Sequence, residues 1–192
     1  MSTPYAAEPG GRAPAPGRLR VVQQFINSLD IEAETEEFQT PGQLSAWLVS
    51  HGLAKPGGPR LTSRDLERTR RFRDLLRELA AGNNGKGRSR QLQRHLNREL
   101  AALSFVAALE DGNVATLRPT GKGIDRALSQ LAAIVIEEMI CGRWSRMKEC
   151  AEDTCRWVFY DHSRSRTGIW CTMADCGSRA KSRAYYRRRT AS

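Results

Sequence analysis

Four cysteines near the C-terminus, Cys150, Cys155, Cys171 and Cys176, follow the pattern Cys-x4-Cys-x15-Cys-x4-Cys. Two close pairs separated by a loop let two knuckles present four thiolates to one tetrahedral cation. Zinc suits this arrangement, because it accepts sulfur ligands at roughly 2.3 Å and undergoes no redox change. Four protein ligands close the coordination sphere, so the ion is expected to be structural, with no chemistry at the metal. An iron–sulfur cluster also takes four thiolates, but its ligands usually sit closer together. His162, in the loop between the pairs, could replace a cysteine. With four thiolates available it reads instead as a surface or hydrogen-bonding residue. The fifth cysteine, Cys141, falls on an apolar helical stretch and reads as a core residue.

A second constellation follows the last cysteine. Residues 177–189 read as a helix that starts at the second knuckle, where its N–H groups would face the thiolates and offset their charge. Arg179, Arg183 and Arg187 recur every four residues on one face, and Lys181 and Arg188 form a second stripe. Ala180 and Ala184 lie between the stripes, and the loop between the cysteine pairs adds Arg164 and Arg166. Such a helix can neutralise phosphates, and its arginines could reach guanine edges in a major groove. Tyr185 and Tyr186 would pack on the small core or stack on bases. The charge balance agrees: the chain carries +10 overall, and from Arg143 onward 12 basic residues face 5 acidic ones.

The elements that must position these groups are mostly helical. Residues 19–29 place Val21, Val22, Phe25, Ile26 and Leu29 on one side. Thr40-Pro41-Gly42-Gln43 is a helix start with a capping box. Thr62 or Ser63 caps a third helix, whose apolar face is Leu66, Phe72, Leu75, Leu76 and Leu79. Its many arginines are expected mostly on other faces. Gly82 to Gly87 breaks the chain before a helix marked by Leu92, Leu96, Leu100 and Leu103. Two apolar runs flanking Glu110-Asp111-Gly112-Asn113 predict a hairpin. Residues 124–141 form a long apolar helix, the expected centre of the first domain.

Residues 1–18, rich in Pro, Gly and Ala, read as a disordered lead-in. Residues 19–142 read as a mainly helical α+β domain with a small β-hairpin. Residues 143–192 read as a small four-cysteine zinc finger with a basic C-terminal helix. The last segment is too polar to build a core alone and needs a metal. Within it, Arg156 to Tyr160 has β character, and Trp157, Phe159 and Trp170 are the expected mini-core.

No run of 18 apolar residues is present, so no membrane span is expected. The first residues lack the apolar stretch of a signal peptide, which places the chain in a reducing cytoplasm, where clustered cysteines favour metal over disulfides. The three histidines lie in separate segments, and there is no Gly-rich phosphate loop or nucleophile–base set. The chain is therefore not expected to be an enzyme.

The C-terminal residues resemble the bacterial CGNR zinc-finger proteins. The similarity runs through the four cysteines, Phe159, Asp161, Ser163, Arg164, Trp170, Met173, Gly177, Arg179 and Lys181. Upstream, Phe25-Ile26-Asn27-Ser28, the 44–53 helix with Trp47 and the arginine-rich helix are similar to the ABATE domain found with that finger. The resemblance implies a stress-related transcription regulator with a zinc-dependent DNA-binding end. Ser178 and Ser165 stand where asparagine is usual, giving Cys-Gly-Ser-Arg in place of the motif that names the finger.

The expectation from sequence is thus one structural zinc ion held by Cys150, Cys155, Cys171 and Cys176. Nucleic-acid contacts are expected from Arg164, Arg166, Arg179, Lys181, Arg183, Arg187 and Arg188. The expected partner is DNA, with the first domain sensing a ligand or mediating a homodimer. An RNA- or ribosome-associated module and a protein-interaction module are the alternatives, since phosphate attraction dominates both kinds of nucleic-acid contact.

Overall fold

The computed structural model describes residues 13–85, 89–112 and 114–190. Helix α1 (Leu19–Asn27) buries Leu19, Val22, Phe25 and Ile26 completely, the 3–4 spacing of an amphipathic helix. Two short strands, β1 (Leu29–Asp30) and β2 (Thr35–Glu36), pair in antiparallel fashion after it. Helix α2 (Pro41–Ser50) starts as its residues require: Gln43 N donates to Thr40 Oγ1 at 3.2 Å, and Thr40 N donates back to Gln43 Oε1 at 2.9 Å. Helix α3 (Ser63–Ala81) repeats the device with Thr62 and Asp65. Helix α4 (Arg90–Ala101) follows a 3₁₀ turn at Gly82–Asn84; Lys86 and Gly87, at the expected break, lie outside the described residues.

Strands β3 (Phe105–Glu110) and β4 (Val114–Pro119) form the expected hairpin, paired from Phe105↔Pro119 to Glu110↔Val114; Asn113 of its turn lies outside the described residues. Helix α5 (Gly123–Ile140) is the central helix, with Ala127, Leu128 and Leu131 fully buried against the other helices. No helix among the described residues is long and apolar enough to cross a membrane.

Three expectations need correction. First, α3 turns two arginines inward: Arg73 is 2% and Arg77 3% exposed. The end of α1 explains why. Its last carbonyls lack helical partners, and Arg77 Nη2 donates to both Ile26 O and Leu29 O at 2.7 Å. Arg73 Nη1 donates to both Glu36 carboxylate oxygens at 2.7 and 2.8 Å, fixing the β1–β2 pair. Burial first, then the neighbouring Arg73, pushes the Arg77 pKa down to about 10, still well above neutrality.

Second, order begins before residue 19. Residues 1–12 lie outside the described residues, but Ala15 is buried and its N–H donates to the buried Gln23 Oε1 at 2.7 Å. Third, Cys141 is exposed. It follows the last residue of α5, and Ile140 beside it is itself 79% exposed, so the buried face of that helix ends before the cysteine.

The finger continues this core. A 3₁₀ turn (Arg143–Arg146) leads into β5 (Met147–Glu149), which pairs in antiparallel fashion with β6 (Val158–Tyr160). Trp144, Met147 and Val158 belong to the main hydrophobic cluster, so a segment short of aliphatic residues buries what it has against the helices. Polar side chains complete the junction. Asn27 Nδ2 donates to Val158 O at 2.8 Å, and its Oδ1 accepts from Val158 N at 2.9 Å. Asn83 Nδ2 donates to Trp144 O and Met147 O, each at 2.8 Å, and Asn84 Nδ2 to Glu149 O at 2.6 Å. The expected division near residue 142 therefore runs through a continuous core.

Candidate metal centre

The β5–β6 pairing sets the first knuckle. Cys150 follows β5, its N–H donates to Trp157 O at 2.8 Å, and the chain reverses through Cys155 and Arg156, the latter at φ +49°. Ala151 N donates to Ile169 O at 2.9 Å, which brings the second half of the finger alongside. The second knuckle is a π-helical turn (Met173–Gly177) opened by Thr172, whose side chain accepts from Asp175 N at 3.2 Å. The Met173 side chain folds over Gly177, where a Cβ would lie 2.8 Å from Sδ and displace the thioether. Helix α6 (Ser178–Thr190) follows directly. Ser178, in the position of the usual asparagine, donates through Oγ to Met173 O at 3.0 Å, so it still closes the turn.

These two knuckles bring all four predicted ligands together. Cys150, Cys155, Cys171 and Cys176 are buried, and their sulfurs all lie within 4.8 Å of one another. Cys155 Sγ is 3.6 Å from Cys171 Sγ, which is 3.4 Å from Cys176 Sγ. Zinc–sulfur bonds of about 2.3 Å would place tetrahedral sulfurs about 3.8 Å apart, whereas a disulfide needs about 2.05 Å. The donor set thus fits one structural zinc ion and no disulfide. Crowding also splits the thiols. Hydrogen bonds from Cys155 and Cys171 draw the Cys150 pKa far down, while the same contact with Cys150 pushes Cys155 up to about 12. Four such groups ionise together only around a cation. His162 stays outside the cluster; its Nε2 donates to Pro14 O at 3.2 Å.

The expected aromatic mini-core packs around the sulfurs, with Phe159 buried and Trp157 and Trp170 partly buried against the cluster. A buried ion pair holds the connecting loop. Lys148 Nζ donates to Asp161 Oδ2 at 2.9 Å and to Gly168 O at 3.1 Å. Asp161 also accepts from Gly168 N at 2.8 Å, Ser163 N at 3.0 Å and Ser163 Oγ at 2.6 Å. Burial opposes the Asp161 charge, but bonds from Ser163, Lys148 and Gly168 outweigh it and hold the pKa well below the usual carboxylate range. Gly168 permits this approach, since a Cβ would lie 3.0 Å from that carboxylate. Arg164 and Arg166 are exposed on the loop so fixed.

The basic residues of α6 divide by face. Arg179 and Arg183 turn toward the protein. Arg179 pairs with Glu32 in the β1–β2 turn, Nη2 to Oε2 being 3.1 Å, and the same nitrogen donates to Cys176 Sγ at 3.1 Å. Arg183 pairs with Glu152, a nearly buried carboxylate of the first knuckle. The donors that reach the sulfurs include knuckle amides and the Arg179 guanidinium. Lys181, Arg187 and Arg188 are exposed. So are Tyr185 and Tyr186, at 51% and 64%, and neither packs on the small core as anticipated. Arg189, which sequence reasoning passed over, lies over the Tyr185 ring at 5.7 Å.

A buried four-thiolate centre that joins a basic helix to a helical domain defines a zinc-finger protein with an integrated N-terminal unit. Residues 146–189 match the family model of the CGNR zinc finger. Residues 19–143 match ABATE, described as "Putative stress-induced transcription regulator". The second match spans more than half of the chain, which therefore belongs to the ABATE family and carries a CGNR finger at its C-terminal end. No curated protein matches the chain.

Proposed function

We infer that this protein is a zinc-dependent DNA-binding transcription regulator that acts by binding and not by catalysis. The observation that carries the reading is the anchoring of α6. With Arg179 and Arg183 tied to Glu32 and Glu152, the helix is fixed, and Lys181, Arg187 and Arg188 are left on its exposed surface. Together with Arg164 and Arg166 they supply cations for a phosphate backbone. The N-terminal domain is the sensing or dimerising half of the regulator, since it is well cored and shares that core with the finger.

Fluorescence anisotropy with duplex DNA and with structured RNA at one salt concentration tests this reading. The protein is expected to bind the duplex more tightly. A preference for RNA would assign the module to RNA, and no binding to either near physiological salt would assign it to an acidic protein surface.

A further inference from the structure

Helices α3, α4 and α5 line a half-open apolar pocket of about 430 Å³ beside the core. Phe72, Leu76, Leu92, Leu96, Ala132 and Val135 wall it, none more than 8% exposed. These side chains form a buried floor, and the mouth opens to solvent beside the half-buried Leu100, Ile136 and Met139. An apolar occupant would remove the exposed part of that lining from water. The volume falls in the range of about 300–1,000 Å³ typical of small-molecule pockets. Gln93 and Asn97, one helical turn apart on α4 and both exposed, place two amides at its rim.

We propose that this pocket binds a small, largely apolar molecule carrying one hydrogen-bonding group, which Gln93 or Asn97 meets at the rim. The ligand class deepens the sensing role given above to the N-terminal domain and rests on that role only for its purpose, not for its existence. The site lies between the two helices that carry the finger. Helix α3 runs into the turn whose Asn83 and Asn84 hold the β5 segment, and α5 runs into Trp144.

The test uses the full-length, zinc-loaded protein and N-phenyl-1-naphthylamine, an uncharged apolar fluorophore with one N–H. Saturable fluorescence enhancement with one probe per chain is expected. Leu100→Trp and Ile136→Phe, at half-buried lining positions, fill the space from two sides. Each should weaken probe binding by about tenfold or more, with zinc content unchanged. No saturable enhancement in the wild type, or wild-type affinity in both variants, would overturn the proposal. Duplex binding measured on the same samples separates the two ideas: loss of the pocket reading leaves DNA binding standing, and the reverse.

Discussion

Arg179 donates from Nη2 to the Cys176 sulfur at 3.1 Å while the same guanidinium pairs with Glu32, 147 residues earlier in the chain. One side chain thus links a metal ligand to the hairpin that closes α1. Glu32 first and Cys176 second hold the guanidinium protonated above its ordinary range. The arginine of Cys-Gly-Ser-Arg therefore positions the metal centre against the helical domain.

Substitution of Arg179 by alanine should accordingly weaken zinc binding. Partners that orient metal ligands typically contribute 10–100-fold in affinity, so a loss of about tenfold or more is expected in a chelator competition. Glu32→Gln should give a smaller loss, because the bond to sulfur remains. Unchanged zinc affinity in Arg179→Ala would remove the linking role.

Asn27→Ala should destabilise the whole chain by about 2–3 kcal/mol, read as a shift of the denaturation midpoint. It strands a buried N–H and weakens the satisfaction of a buried carbonyl, both on Val158. The finger and the helices share one core, so a single transition is expected. Two separated transitions, with only one of them moved, would contradict the shared core.

The ease of reading differed between elements for physical reasons. The Cys-x4-Cys pairs, the Thr40–Gln43 box and the β3–β4 hairpin were legible because their partners lie within a few residues. The inward turn of Arg73 and Arg77 was not, because their acceptors, Glu36, Ile26 and Leu29, lie some 37 to 51 residues away. Spacing put Arg179 and Arg183 on one face of α6 correctly. It could not show that Glu32 and Glu152 face them and give each an anchoring ion pair. Strand β5 was missed because three residues, two of them charged, carry no alternation to detect.

Asp161→Asn should cost about 3–5 kcal/mol at neutral pH, as breaking a buried pair leaves Lys148 uncompensated. Its pH dependence has a definite sign. The folded pKa is depressed, so the contribution is complete above the unfolded value of about 3.9 and is lost as pH falls toward the folded one. The stability difference between wild type and Asp161→Asn should be level above about pH 5 and shrink below about pH 4. A gap that widens with acid would contradict the assignment.

Lys181→Ala and Arg188→Ala should each flatten the salt dependence of duplex binding, by a slope of about 0.9 for every phosphate the side chain neutralises. Arg183→Ala should act differently, by freeing the end of α6 from Glu152, and its signature is increased proteolysis of the helix. Equal slopes in the wild type, Lys181→Ala and Arg188→Ala would take the exposed face out of the interface.

Titration of zinc into metal-free protein, followed by duplex anisotropy, bears on the account most directly. Affinity for the duplex should rise with zinc and level off at one equivalent per chain, because the ion fastens the helix that makes the contact. Equal affinity with and without zinc would contradict it.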